Sequence, residues 1–187
     1  KIRKNEQMMG GGSSFDKRNN RNLAMKAAQM LSDPNGPRVA VFEVNGFDTH
    51  AAQGGVDGTH TKCLVEMDTI MQNLKIAQKA YNNSIILTVT EFGRTIKQNG
   101  GNGTEHGYGT AIFLAGGLVK KSQVYTDWPG LKRKELYEGR DLNATIDARS
   151  VYASAMSTVF DLDFKRIEKN VFFGDKLQNL SNKLFKA

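Results

Sequence analysis

The sequence predicts an α/β fold with a mostly parallel sheet. Three observations carry that expectation. Two short apolar runs rich in β-branched residues, 38–44 (RVAVFEV) and 84–90 (SIILTVT), have the length and composition of strands. Between them, residues 62–80 place Leu64, Met67, Ile70, Met71, Leu74 and Ala77 on one helical face. Each apolar run leads into a polar loop, 47–61 after the first and 91–95 after the second. A strand–helix–strand unit with a crossover helix implies a parallel pair joined right-handedly. Ligands bind such sheets beyond the carboxyl ends of the strands, so residues 47–50 and 91–95 are expected on one edge.

The elements follow in chain order. Residues 1–14 are polar and end in Gly10-Gly11-Gly12-Ser13-Ser14, which reads as a flexible lead-in. Residues 15–32 read as a helix, since Leu23, Ala27, Met30 and Leu31 recur near helical spacing. The turn residues Asp33-Pro34-Asn35-Gly36-Pro37 stop it. The first strand ends at Asn45-Gly46, and the long helix at Asn82-Asn83. The second run is nearly all apolar, which suits a strand covered on both faces. A glycine-rich loop, 99–109 (NGGNGTEHGYG), precedes a third strand at 110–114 that Gly116-Gly117 closes. Residues 118–145 look irregular, with room for short strands near Val124 and Tyr125. Residues 145–160 read as a helix capped by Thr145 or Asp147, with Val151, Tyr152, Ala155, Met156 and Val159 on its apolar face. Phe172, Phe173, Leu177, Leu180 and Leu184 in the tail imply a last helix or a wrap. At 187 residues the chain suits one domain with a substantial core.

Composition narrows the function classes. Hydrophobic residues make up 39% and charged residues 24%, and no apolar run approaches the roughly 18 residues of a membrane span. The net charge of +7 favours anionic partners. Its lysines and arginines are scattered, with no dense run interleaved with aromatics, so a solvated basic surface is expected and a nucleic-acid partner is not. Cys63 is single, which excludes an internal disulfide, and it is expected to be a small buried residue. The chain opens with Lys1 and shows no secretory signal, which implies a processed product or part of a longer protein.

Four residues stand out as ligands. Asp48 and His50 are two apart, and in an extended segment such residues point the same way. They can face one ion, or belong to an ordinary polar loop with local hydrogen bonds. Glu91 directly follows a buried strand, where a carboxylate needs a partner. It reads as a ligand or general base, or as the ion-pair partner of Arg94. Arg94 in turn either clamps an anionic oxygen or neutralises Glu91. His106 lies among glycines that let the backbone bend and approach a ligand. His60, between Thr59 and Thr61 at a helix entrance, reads as solvated or structural. Mixed O and N ligands suit a divalent metal, zinc first, with manganese, iron and calcium as alternatives.

The segments VFEVNGFDTHAAQGG, TVTEFGRTIKQNGGNGTEHGYG, AGGLVKKSQVY and NATIDARSVYASAM resemble the C-terminal half of a bacterial domain-of-unknown-function family. Its members are often described as sulfatase-like and carry twin-arginine export signals. The resemblance runs in order over about residues 20–175, with Phe47 for the usual Trp, Thr90 for Ser and Glu105 for Asp. It implies a branch of the alkaline phosphatase superfamily, with a three-layer α/β/α fold, one or two metals, and hydrolysis of phosphate or sulfate esters. Residues 15–187 would then be the C-terminal part of such a domain. By that likeness Asp48, His50 and His106 resemble an Asp-His-His metal set, and Glu91-Phe92 stands where relatives have Asp-His for a second metal. Phe92 cannot ligate, and the nucleophile is expected upstream, so the chain alone is expected to be inactive or very weak. A small anionic ester would be the substrate, Arg94 would aid its anionic transition state, and the bacterial cell envelope or periplasm would be the location. The alternative is a non-catalytic binding or scaffold protein of the same fold. Oligomeric state is left open.

Overall fold

The computed structural model describes residues 17–186. The lead-in 1–14 lies outside them. Among the described residues there are six α-helices: α1 Lys17–Ser32, α2 Thr59–Ile76, α3 Gln78–Asn82, α4 Ala148–Phe160, α5 Phe164–Asn170 and α6 Ser181–Leu184. One 3-10 turn, Arg133–Glu135, interrupts the irregular stretch before α4. Four two-residue strands complete the list: β1 Ile86–Leu87, β2 Gly93–Arg94, β3 His106–Gly107 and β4 Leu114–Ala115. No described helix is long and apolar enough to cross a membrane.

The expected three-layer α/β/α fold with a mostly parallel sheet is not what forms. The described strands make two small antiparallel sheets, β1 with β4 and β2 with β3. Residues 84–90 find their neighbour downstream: the chain returns through residues 91–113 and pairs Ile86 with Ala115 and Leu87 with Leu114. Residues 38–44 belong to no described strand. They still alternate, with Phe42 and Val44 packed on the α1–α2 core while Val41 is 90% exposed. Side-chain burial therefore holds this run in place without a ladder. An apolar run reports which face is buried, and it carries no information on the direction of its neighbour.

Residues 85–87 of the run containing β1 are partly covered on both sides, whereas Val89 is 67% exposed, so the expected full burial holds only for the first part of the run. Ile86 packs with Ala24, Ala27 and Ala28 of α1 and Ile70 and Leu74 of α2. Ile85 and Leu87 pack against Val151 and Ala155 of α4 and the tail residues Leu180, Leu184 and Phe185. The three alanines let α1 approach α2 closely. A third cluster joins Ala153 to Phe164 and Ile167 of α5. The long predicted helix breaks at Ala77, whose ψ of 65° leaves the helical region.

Helix α4 starts where a capping side chain is available. Asp147 accepts from the Arg149 backbone N–H at 2.9 Å and from the Arg149 guanidinium at 2.7 Å. Arg149 holds the Asp147 carboxyl below its ordinary value of 3.8. A depressed folded-state pKa gives stability that is complete above the unfolded value and is lost as pH falls through the folded one. Replacing Asp147 with Ala is expected to cost about 1 kcal/mol at neutral pH. That difference should shrink below the ordinary aspartate value, which urea titrations of both proteins across pH would measure.

Candidate metal centre

Two loops and one short hairpin build the centre. Residues 49–53 and 99–104 are zipped together by backbone bonds. Ala52 N–H donates to Gly101 O at 2.8 Å, Gln53 N–H to Asn102 O at 2.9 Å, and Thr104 N–H to Thr49 O at 3.2 Å. The Gln53 side-chain oxygen accepts from the hydroxyls of Thr49 and Thr104, at 3.0 and 2.8 Å. The hairpin pairs Arg94 with His106 and Gly93 with Gly107. Gly103 sits on the Thr49–His50 backbone, where a Cβ would lie 2.3 Å from the His50 carbonyl carbon. Only glycine permits that approach.

Arg94 ties the pieces together. Its side chain is 17% exposed and donates to Thr104 O at 2.9 Å, Phe47 O at 2.7 Å and Asp48 Oδ1 at 2.6 Å. The planar fork reaches all three acceptors, which a lysine ammonium at one point would not. The sequence leaves open whether Arg94 pairs with Glu91, and here it pairs with Asp48. Glu91 is exposed and lies outside the cluster. Phe92 and Arg94, two residues apart, both turn toward the centre, and Glu91, just before them, does not join it.

Asp48, His50 and His106 converge. His106 Nε2 and His50 Nε2 each lie 3.0 Å from Asp48 Oδ1, and the two nitrogens are 3.1 Å apart. Asp48 and His50 are not in extended backbone. Successive bonds two residues apart, Thr49 N–H to Phe47 O and His50 N–H to Asp48 O, curl the chain so that both side chains face His106. The three side chains are 42–55% exposed, so the cluster opens to solvent. The Arg94 guanidinium, then the His106 imidazole, hold Asp48 below the usual carboxylate range. The Phe92 ring stacks on His106 at 3.7 Å and 9°, which fixes that imidazole plane.

The donor set fits an ion. Four ligands at 2.0–2.1 Å in a tetrahedron are separated by about 3.3 Å, and these three atoms are separated by 3.0–3.1 Å. An ion above the triangle needs only a slight outward shift of the ligands.

Sequence reasoning gave no role to Glu105 and Asn99, which stand directly behind His50. Glu105 Oε2 lies 2.9 Å from His50 Nδ1, and its Oε1 accepts from Asn99 Nδ2. Asn99 and then His50 hold the Glu105 carboxyl below its ordinary value. The only local signal was an acid directly before a histidine. His60 is half-buried, meets Phe47 edge-to-face at 5.7 Å, and leaves its Nδ1 without a partner. Burial, then the Arg94 charge, lowers its pKa. Cys63 is buried, and its thiol donates to Gly46 O at 3.1 Å. Burial pushes that thiol up, the wrong direction for a nucleophile.

A family model described as "Protein of unknown function (DUF1501)" matches residues 6–169. No curated protein and no solved structure matches the chain.

Proposed function

The chain belongs to the DUF1501 family, and we propose that it contributes the metal centre of a divalent-metal-dependent hydrolase acting on phosphate or sulfate esters. The observation that carries this reading is the triangle of Asp48 Oδ1, His50 Nε2 and His106 Nε2, with sides of 3.0–3.1 Å and an open face. Three protein ligands, two imidazoles and one carboxylate, with a free position are the pattern of catalytic zinc sites, whereas structural sites are closed by four. A divalent ion there would supply Lewis-acid chemistry, offsetting charge on an ester oxygen and lowering the pKa of water.

The chain's own residues have separable roles. Asp48, His50 and His106 would hold the ion. Arg94 fixes the Asp48 carboxylate and the Phe47 carbonyl, so its part in the chemistry is positioning. Glu91 is exposed and free to meet a second ion or a substrate group at the rim. The ester class rests on the net charge of +7 and on the likeness to sulfatase-like exported proteins, which also supports a place in the cell envelope.

One observation favours a second reading, a metal-binding protein without hydrolysis. The Phe92 ring covers a face of His106, and by the likeness Phe92 stands where relatives have a histidine for a second metal. Equilibrium dialysis against zinc at pH 7.5 tests the first step of both. We expect one ion per chain, and none in the double variant His50→Ala, His106→Ala. Stoichiometric uptake by the double variant would sink both readings. Zinc uptake by the whole gene product without turnover of aryl phosphate or aryl sulfate would select the second.

A further inference from the structure

We infer that Glu105 is a positioning residue that selects the tautomer of His50, leaving the Nε2 lone pair free for a cation. The inference deepens the metal-centre reading and rests on it for its functional meaning, although the tautomer itself is independent of any metal.

The direction of each hydrogen bond follows from the groups present. Asn99 is oriented by four contacts. Its Oδ1 accepts from the backbone N–H groups of Gly101 and Gly103 at 2.9 and 3.0 Å. Its Nδ2 donates to His50 O at 2.8 Å and to Glu105 Oε1. An amide with its oxygen engaged by two N–H donors and its nitrogen facing two oxygens has one consistent orientation. The Glu105 carboxylate, an acceptor only, is thereby placed with Oε2 at 2.9 Å from His50 Nδ1. Asp48 Oδ1 on the other side of the ring already accepts from the Arg94 guanidinium at 2.6 Å, whereas His50 is the donor that faces Glu105 Oε2, so the neutral ring donates from Nδ1 and carries its lone pair on Nε2. That atom is the one facing Asp48 Oδ1 and His106 Nε2, at 3.0 and 3.1 Å. Metal-binding histidines characteristically donate their other ring N–H to a carboxylate, which orients the ring and raises its basicity.

The backbone supports the same geometry independently of the side chain. Glu105 N–H donates to Thr95 Oγ1 at 3.1 Å, and Thr95 N–H donates to Glu105 O at 3.0 Å. The Glu105 side chain is 53% exposed, so replacing it leaves the hairpin's own bonds intact. A glutamine is the informative substitution. With Asn99 Nδ2 fixed as a donor, the glutamine oxygen must turn to Asn99 and its NH2 must face His50 Nδ1. His50 Nδ1 then becomes an acceptor, the proton moves to Nε2, and an N–H points into the centre. Alanine instead leaves both tautomers accessible.

The test uses the full chain labelled with 15N at histidine. Long-range proton–nitrogen NMR spectra at pH 7.5, without metal, report which ring nitrogen of His50 is protonated. Zinc titrations of the same samples report affinity. We expect the Nδ1–H form in the parent, the Nε2–H form in Glu105→Gln, and a mixture in Glu105→Ala. Zinc affinity should fall by roughly 10–100-fold in Glu105→Gln and by less in Glu105→Ala. A parent His50 in the Nε2–H form, or a Glu105→Gln variant with the parent's tautomer and affinity within twofold, overturns the inference. A parent that binds no zinc but switches tautomer on Glu105→Gln sustains Glu105's role and removes the metal reading alone.

Discussion

Replacing Arg94 with Ala is expected to destabilise the protein by about 3 kcal/mol, read from the midpoint of urea unfolding. One largely covered guanidinium donates to Thr104 O, Phe47 O and Asp48 Oδ1, and so spans three separated stretches of chain. Its removal strips two part-buried carbonyls of a charged donor, at about 1–1.5 kcal/mol each. The lost contact with the exposed Asp48 adds little, because water screens it. The cation over Phe92, 5.0 Å from the ring centroid, adds a fraction more. Arg94→Lys should recover less than half, since an ammonium reaches one acceptor at a time. A loss under about 0.5 kcal/mol, the ordinary size of a surface substitution, would show that the guanidinium does not hold these loops together.

Gly103→Ala should be comparably costly, for a steric reason. The new Cβ would stand 2.3 Å from the His50 carbonyl carbon, 2.4 Å from His50 O and 2.5 Å from Thr49 O. All three are backbone atoms in loops zipped on both sides of the contact, so no flexible side chain can yield. Relief requires the two loops to separate by about 1 Å, near the upper end of the 1–3 kcal/mol typical of overpacking. The same separation widens the 3.1 Å gap between His50 and His106. Zinc affinity should therefore fall at least about tenfold along with stability. Parent-like values for both would mean that the 99–106 loop tolerates displacement and that loop contact does not set the ligand spacing.

The two variants bear on how the centre was legible. The Asp-x-His pair, the histidine within a glycine-rich loop and the arginine after an apolar run are all visible as residues of uncommon chemistry in polar loops. Their convergence needs contacts between positions about fifty residues apart, and those are tertiary. Glu105 shows the limit. An exposed acid next to a histidine is ordinary in sequence, and only the fold, which brings Asn99 and His50 beside it, gives its carboxylate defined partners. Glu91 shows the opposite case. Its place directly after an apolar run suggests a committed carboxylate, yet the chain bends at Glu91, which is exposed, and Arg94 pairs with Asp48.

The fold divides similarly. Helical periodicity locates α1, α2 and α4 to within a few residues, because each has an apolar stripe and a capping or stop signal at one end. The sheet was misread for a physical reason. Residues 38–44 and 84–90 have the composition of strands, and the helix between them invites a parallel pairing. Composition encodes burial, and both runs are indeed packed against helices. Pairing direction depends instead on which segment the following loop returns, and that segment is 114–115, running antiparallel.

The most direct measurement is an anomalous difference map, collected at the zinc edge, from crystals of the zinc-loaded protein. The account predicts one strong peak about 2.0–2.2 Å from Asp48 Oδ1, His50 Nε2 and His106 Nε2, on the open face of their triangle. A zinc-loaded crystal with no peak at that triangle, or with its peak on other residues, would contradict it.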